Sequence, residues 1–131
     1  MAIKKSRTFI DIDFDFKPHP TTGDIVRQFD ETAIKKSIIN LILTKPYERP
    51  FQPHLASQTY ELLFENATPS IITAIEDSIK EVIRNFEPRA DVLSVDVRED
   101  IDNNGFSVLI WFHVFNQPEP VDLSIFLDRV R

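Results

Sequence analysis

A chain of 131 residues with 42 % apolar side chains suits one domain with a substantial core. Its formal net charge of -6 opposes the phosphates of nucleic acid, so no nucleic-acid partner is expected. The lack of cysteine excludes disulfides and thiolate metal sites, and the 2 glycines exclude a phosphate loop, a dinucleotide fingerprint and a nucleophile elbow.

In chain order, residues 1–8 read as a flexible tail without an apolar leader, so no secretory signal is expected. "FIDIDFDF" then alternates, with Ile10, Ile12, Phe14 and Phe16 on one face and Phe9, Asp11, Asp13 and Asp15 on the other. That is the pattern of a half-buried strand. Three carboxylates on one face can hold a hard cation, but the run is read as a solvated face that guards an edge. "KPHPTTGD" is a turn, and "IVRQF" a short second strand.

Asp30 is a suitable N-cap for a first helix, whose stripe of Ile34, Ile38, Leu41 and Ile42 keeps helical spacing. The helix ends before Lys45-Pro46, and "TKPYERPFQPH" follows as a stiff loop. A short helix over Ser57–Glu65 is expected to bury Tyr60, Leu63 and Phe64. Thr68 and Pro69 then open a long helix with Ile72, Ile75, Ile79, Val82, Ile83 and Phe86 in phase. Glu76 and Lys80 are placed to pair on its outer face. Pro88 disfavours helical backbone at Glu87 and stops the helix there.

Three strands close the chain. Leu93, Val95 and Val97 alternate with polar residues, and "DNNG" at 102–105 signals a hairpin. Phe106 to Phe115 is apolar on both faces, as for a central strand covered by helices, and too short to span a membrane. After "NQPEP", the row Val121, Leu123, Ile125 and Leu127 marks a last strand, either an edge or one leaving the body. The fold class is α+β, with helices on one face of a small, mostly antiparallel sheet.

Little here points to catalysis. His19, His54 and His113 are scattered, without metal-ligand spacing, and no cofactor is expected. A glycosidase needs two carboxylates at a set distance, one with a raised pKa, and nothing marks such a pair. One acid is oddly placed: Glu87 lies at the C-terminal pole of its helix, at a cost of about 0.3–1 kcal/mol unless a cation such as Arg89 offsets it.

The segments "TGDI" (22–25), "IKKSIINLILTKPYERPFQP" (34–53), "LFENATP" (63–69) and "IRNFEPRADVLSVDV" (83–97) carry a resemblance. In this order they resemble the GPW/gp25 family of baseplate wedge proteins from contractile-tailed phages, over about residues 20–115. The acid-proline-arginine triplet Glu87, Pro88, Arg89 matches the family's best-known signature. The family often has Gly where this chain has Tyr47, and again near Ala56, so the loop between Lys45 and Ser57 is expected to take its own path.

The resemblance implies a virion baseplate subunit without enzymatic activity, in one domain over 1–131, similar to the part of the sheath subunit that forms the inter-subunit sheet. Its implied partners are the core bundle of the wedge proteins, the inner-baseplate and tube proteins, and the tail sheath subunit. It implies that Glu87, Pro88 and Arg89, joined by Arg49, face the wedge bundle. It also implies that a C-terminal strand within 118–131, with Val121, Leu123, Ile125 and Leu127, initiates the sheath by pairing with the arms of sheath subunits. Two alternatives stand beside it: a lysozyme-like cell-wall hydrolase, and a regulatory adaptor of the same fold.

Overall fold

The computed structural model describes residues 9–129 except 14, 26, 56 and 116, with backbone only for 27–29. The tail at 1–8, Phe14, Ala56 and the last two residues therefore lie outside the described residues. The element order is β1 (Ile10–Ile12), β2 (Arg27–Phe29), α1 (Asp30–Leu43), α2 (Thr59–Leu62), α3 (Pro69–Phe86), β3 (Ala90–Asp100), β4 (Gly105–Val114) and β5 (Pro120–Asp128). β1 and β2 form a two-stranded antiparallel ribbon, and β3, β4 and β5 an antiparallel sheet with β4 in the centre. This is the expected α+β architecture.

The helices form for legible reasons. In α3, Thr68 is extended and its hydroxyl accepts from the Ile71 N–H at 3.4 Å, while Pro69 takes the first helical position. Ile75, Ile79 and Ile83 of α3 are fully buried, as are Ile34 and Ile38 of α1. They pack on Phe106, Val108, Ile110 and Phe112 of β4, and each large side chain so buried contributes about 1.5–3 kcal/mol. The β3–β4 turn runs over Ile101–Asn104, one residue earlier than "DNNG" suggests, with Asn104 left-handed at φ 51°. Gly105 is needed as the first residue of β4, because a Cβ there would lie 2.5 Å from both the Leu127 carbonyl oxygen and the Phe126 ring.

Five local expectations change. β1 is turned over: Ile10, Ile12 and Phe16 are exposed, while Asp13 on the opposite face is only 5 % exposed. The acid side turns inward because Lys36 of α1 donates to Asp13 and Arg89 reaches Asp11. The acid face is thus paired rather than simply solvated. Leu93 is half-exposed because a β-bulge between Val92 and Ser94 leaves it without a partner on β4. Phe64 is partly exposed and meets Tyr60 edge-on at 5.3 Å. Glu76 turns to the sheet, where it accepts from the Val97 N–H at 3.2 Å, instead of pairing with Lys80. Finally, helices cover only one face of β4: Trp111 and Ser107 are exposed on the other.

Candidate functional site

Three regions hold the residues singled out in the sequence. The first is the end of α3. Glu87 caps the helix in a non-helical conformation, and its N–H still donates to the Ile83 carbonyl at 2.9 Å. Pro88 turns the chain outward and is exposed, and the Arg89 carbonyl accepts from the Phe115 N–H at 3.0 Å, which starts the β3–β4 ladder. The turn thus brings Glu87 under the body, where it is 2 % exposed.

The carboxylate is held on three sides. Arg89 donates through Nε to Oε1 at 2.6 Å and through Nη2 to Oε2 at 3.0 Å, and the Ser37 hydroxyl donates to Oε2. The other side of the guanidinium reaches Asp11, with Nη2 at 3.2 Å and Nη1 at 3.4 Å from its carboxylate oxygens, and the Phe9 ring lies 5.5 Å from it. Burial pushes the Glu87 carboxyl up, but the hydrogen bonds from Arg89 and Ser37 overcome it and hold the group below the usual carboxylate range. The bond to Glu87 raises the Arg89 pKa in turn. The dipole cost at this helix end is therefore met inside the chain, by a fork that serves two acids.

Sequence reasoning anticipated the Glu87–Arg89 pair but missed Asp11 and Ser37. Asp11 lies 78 positions from Arg89, and no local pattern reports such a contact. Ser37 did leave a trace: it sits three residues after Ile34 and four before Leu41, a polar side chain inside an apolar stripe.

The second region is a cleft of about 560 Å³ between β1, α1 and the loop after α1. Ile10, Ile12, Phe16 and Phe86 give it apolar walls, and Asp11, Ser37, Asn40 and Arg49 supply polar groups. Arg49 is exposed, and its side chain has no hydrogen bond or ion pair with any described residue. The loop that carries it holds Tyr47 and Phe51 left-handed, at φ 63° and 70°, and Phe51 is 100 % exposed. Both positions thus hold an aromatic side chain on left-handed backbone, a conformation that glycine adopts at no steric cost.

The third region is β5. Val121, Leu123, Ile125 and Leu127 are all buried, and their side chains belong to the chain's own core. Asp122, Ser124, Phe126 and Asp128 alternate with them on the open face. The Arg129 N–H donates to the Asn104 carbonyl at 3.0 Å, so the odd-numbered residues of β5 face β4 with their backbone groups. The even-numbered residues therefore aim N–H and C=O outward, along a free edge that begins at Pro120. Arg129 pins the end of this strand: its guanidinium donates to the carbonyls of Leu63 at 2.7 Å and Glu65 at 3.1 Å and lies 4.7 Å from the centre of the Phe106 ring.

The chain matches the family model described as baseplate wedge protein gp25 over residues 29–118. It is 32 % identical over 117 residues to the baseplate wedge protein gp25 of Enterobacteria phage T4, covering 89 % of this chain and 88 % of that protein. Its fold is similar to a chain in the cryo-EM structure of the anti-feeding prophage baseplate (TM-score 0.73, 24 % identity, covering 85 % of this chain and 89 % of that one). It is also similar to a Geobacter sulfurreducens protein provisionally named a tail lysozyme (TM-score 0.65, 24 % identity, covering 75 % and 91 %). A chain of the postcontracted pyocin R2 baseplate has TM-score 0.58 at 15 % identity, covering 90 % and 98 %. The chain thus belongs to the gp25 family of baseplate wedge proteins, structural components of the baseplates of contractile phage tails.

Proposed function

We propose that this chain is the sheath initiator of its baseplate: it docks on the core bundle of the wedge and accepts an arm of the sheath subunit at the edge of β5. The observation that carries the reading is that edge. It is nine residues long, free of register shifts, and fixed by Arg129 before any partner arrives. An added strand gains backbone hydrogen bonds from Asp122, Ser124, Phe126 and Asp128, and its apolar side chains continue the row of Val121, Leu123, Ile125 and Leu127.

For the wedge, the cleft beside α1 offers an apolar floor for a helix, and Arg49, unpaired among the described residues, offers a fork for a carboxylate or helix-end carbonyls. Pro88 is exposed at the turn, and the triplet's part in docking runs through Pro88 and the accessible fringe of Arg89, since Glu87 is enclosed. The role is non-enzymatic. The relative of this chain that is named a baseplate wedge protein supports that reading.

Ser124→Pro tests the strand reading. The Ser124 N–H points away from β4, so proline there removes an edge donor and leaves the chain's own ladder intact. The variant is expected to fold as wild type, to join the wedge, and to fail in nucleating sheath from purified subunits. Sheath polymerisation on Ser124→Pro wedges at the wild-type rate would sink the reading.

A further inference from the structure

The sheet has two edges, and the structure treats them differently. β5 is regular, and no described residue bonds its outward backbone groups. On β3, the Arg89–Phe115 bond fixes the phase before the bulge, and the bulge at Leu93 shifts it by one. Beyond the bulge, Ser94, Asp96, Arg98 and Asp100 face β4 with their backbone groups, so Val95, Val97 and Glu99 face outward. The outward N–H of Val97, in the middle of this edge, is already taken: Glu76 of α3 accepts it at 3.2 Å.

The charge-assisted bond to the Val97 N–H ties α3 to β3 more strongly than an exposed pair with Lys80 would, and it has a second consequence at the edge. That consequence matters because the edge itself is a hazard. An uncovered strand edge is a template for any extended chain, including the β5 edge of another copy. Between copies held close together, β3-to-β5 stacking is a heterologous contact, which runs on without limit unless its rotation closes a ring. A fixed carboxylate occupies a donor that an incoming strand needs and repels the carbonyls that would approach it.

We infer that Glu76 is an edge guard, which closes β3 to strand addition and makes β5 the one acceptor edge of this sheet. The ends of β5 also describe what it accepts. Asp122 and Asp128 flank Ser124 and Phe126 on the open face, so the fitting partner is an extended segment with a basic side chain near each end. An aromatic or β-branched residue opposite Phe126 completes the match, and the alternate positions are apolar. The choice of β5 rests on the strand-addition reading above, whereas the closure of β3 rests on Glu76.

The experiment uses the full chain as Glu76→Ala, Glu76→Gln and the double variant Glu76→Ala with Ser124→Pro. Alanine is a strong helix former, so α3 persists in each. Sedimentation over a concentration series should show Glu76→Ala self-associating on the order of tenfold more tightly than wild type, which corresponds to about 1.4 kcal/mol. Glu76→Gln keeps an acceptor oxygen and should behave as wild type. Adding Ser124→Pro should undo the association. Hydrogen exchange at the Val97 amide should be slow in wild type and fast in Glu76→Ala. If Glu76→Ala associates no more than wild type, or its Val97 amide stays as protected, the guard is disproved. If Glu76→Ala associates and Ser124→Pro does not reverse it, the guard stands, but β5 is not the acceptor and the proposed function loses its carrying observation.

Discussion

Arg89 and Arg49 belong to the same corner of the molecule and stand in opposite conditions. Arg89 is largely enclosed and spends its fork on Glu87 and Asp11. Arg49 is exposed on the cleft that Asp11 and Ser37 also line, and has no partner among the described residues. The first arginine holds the chain together where helix meets sheet, and the second contributes to no contact among the described residues. The acid-proline-arginine triplet is thus an internal brace first, with its arginine's fork already engaged. Mutating the motif arginine alone therefore confuses loss of fold with loss of binding.

The contrast can be broken by measurement. Arg89→Ala leaves Glu87 buried and without its cation, so unfolding by denaturant should show a loss of about 3–5 kcal/mol. A loss under 1 kcal/mol would mean that the brace is not one. Glu87→Gln keeps the shape and the bond from Ser37 but drops the charge, with an expected loss of about 1–3 kcal/mol at neutral pH.

The same variant carries a pH signature. Because the folded pKa of Glu87 lies below its ordinary value of 4.5, the stability due to its ionisation is present above about that pH. It is lost as pH falls through the lower folded value. Thermal melts of wild type should therefore drop steeply below pH 4.5, and those of Glu87→Gln should drop less. Parallel curves would contradict the assigned brace.

On the open side, the effects on stability shrink or change sign. Tyr47 is left-handed at φ 63° and 80 % exposed, so it carries backbone strain without packing in return. Tyr47→Gly is expected to stabilise by about 0.5–1 kcal/mol, and a destabilised variant would show that the ring has a hidden contact. Arg49→Ala should leave stability within about 0.5 kcal/mol of wild type while weakening binding to purified wedge bundle. Unchanged binding would remove Arg49 from the docking surface and leave the cleft as apolar contact only.

Much of this was legible in the chain. The N-cap at Thr68, the proline after it and the stop at Pro88 gave α3 to within a residue, since each acts through neighbours one to four positions away. Hydrophobic spacing marked the buried face of α1, and alternation marked the buried row of β5. The failures share a cause. Alternation along β1 shows two faces but not which one turns inward, and the inner one proved to be acidic because cations from α1 and the α3–β3 turn lie beneath it. Leu93 was misplaced because a bulge is set by pairing with β4, not by its own neighbours.

The sequence by itself determined the helices and strands, the apolar stripes that become the core, the family, and the pairing of Glu87 with Arg89 across two residues. These depend on local geometry and on periodicities that a linear string records. Only the tertiary structure decided that this pair is buried, that Asp11 and Ser37 complete it, that no described residue pairs with Arg49, and that Glu76 accepts the outward Val97 N–H at one edge of the sheet. Each of those depends on side chains or backbone groups that meet across 21 to 78 residues, and such meetings are fixed by how the elements pack rather than by what stands next to what.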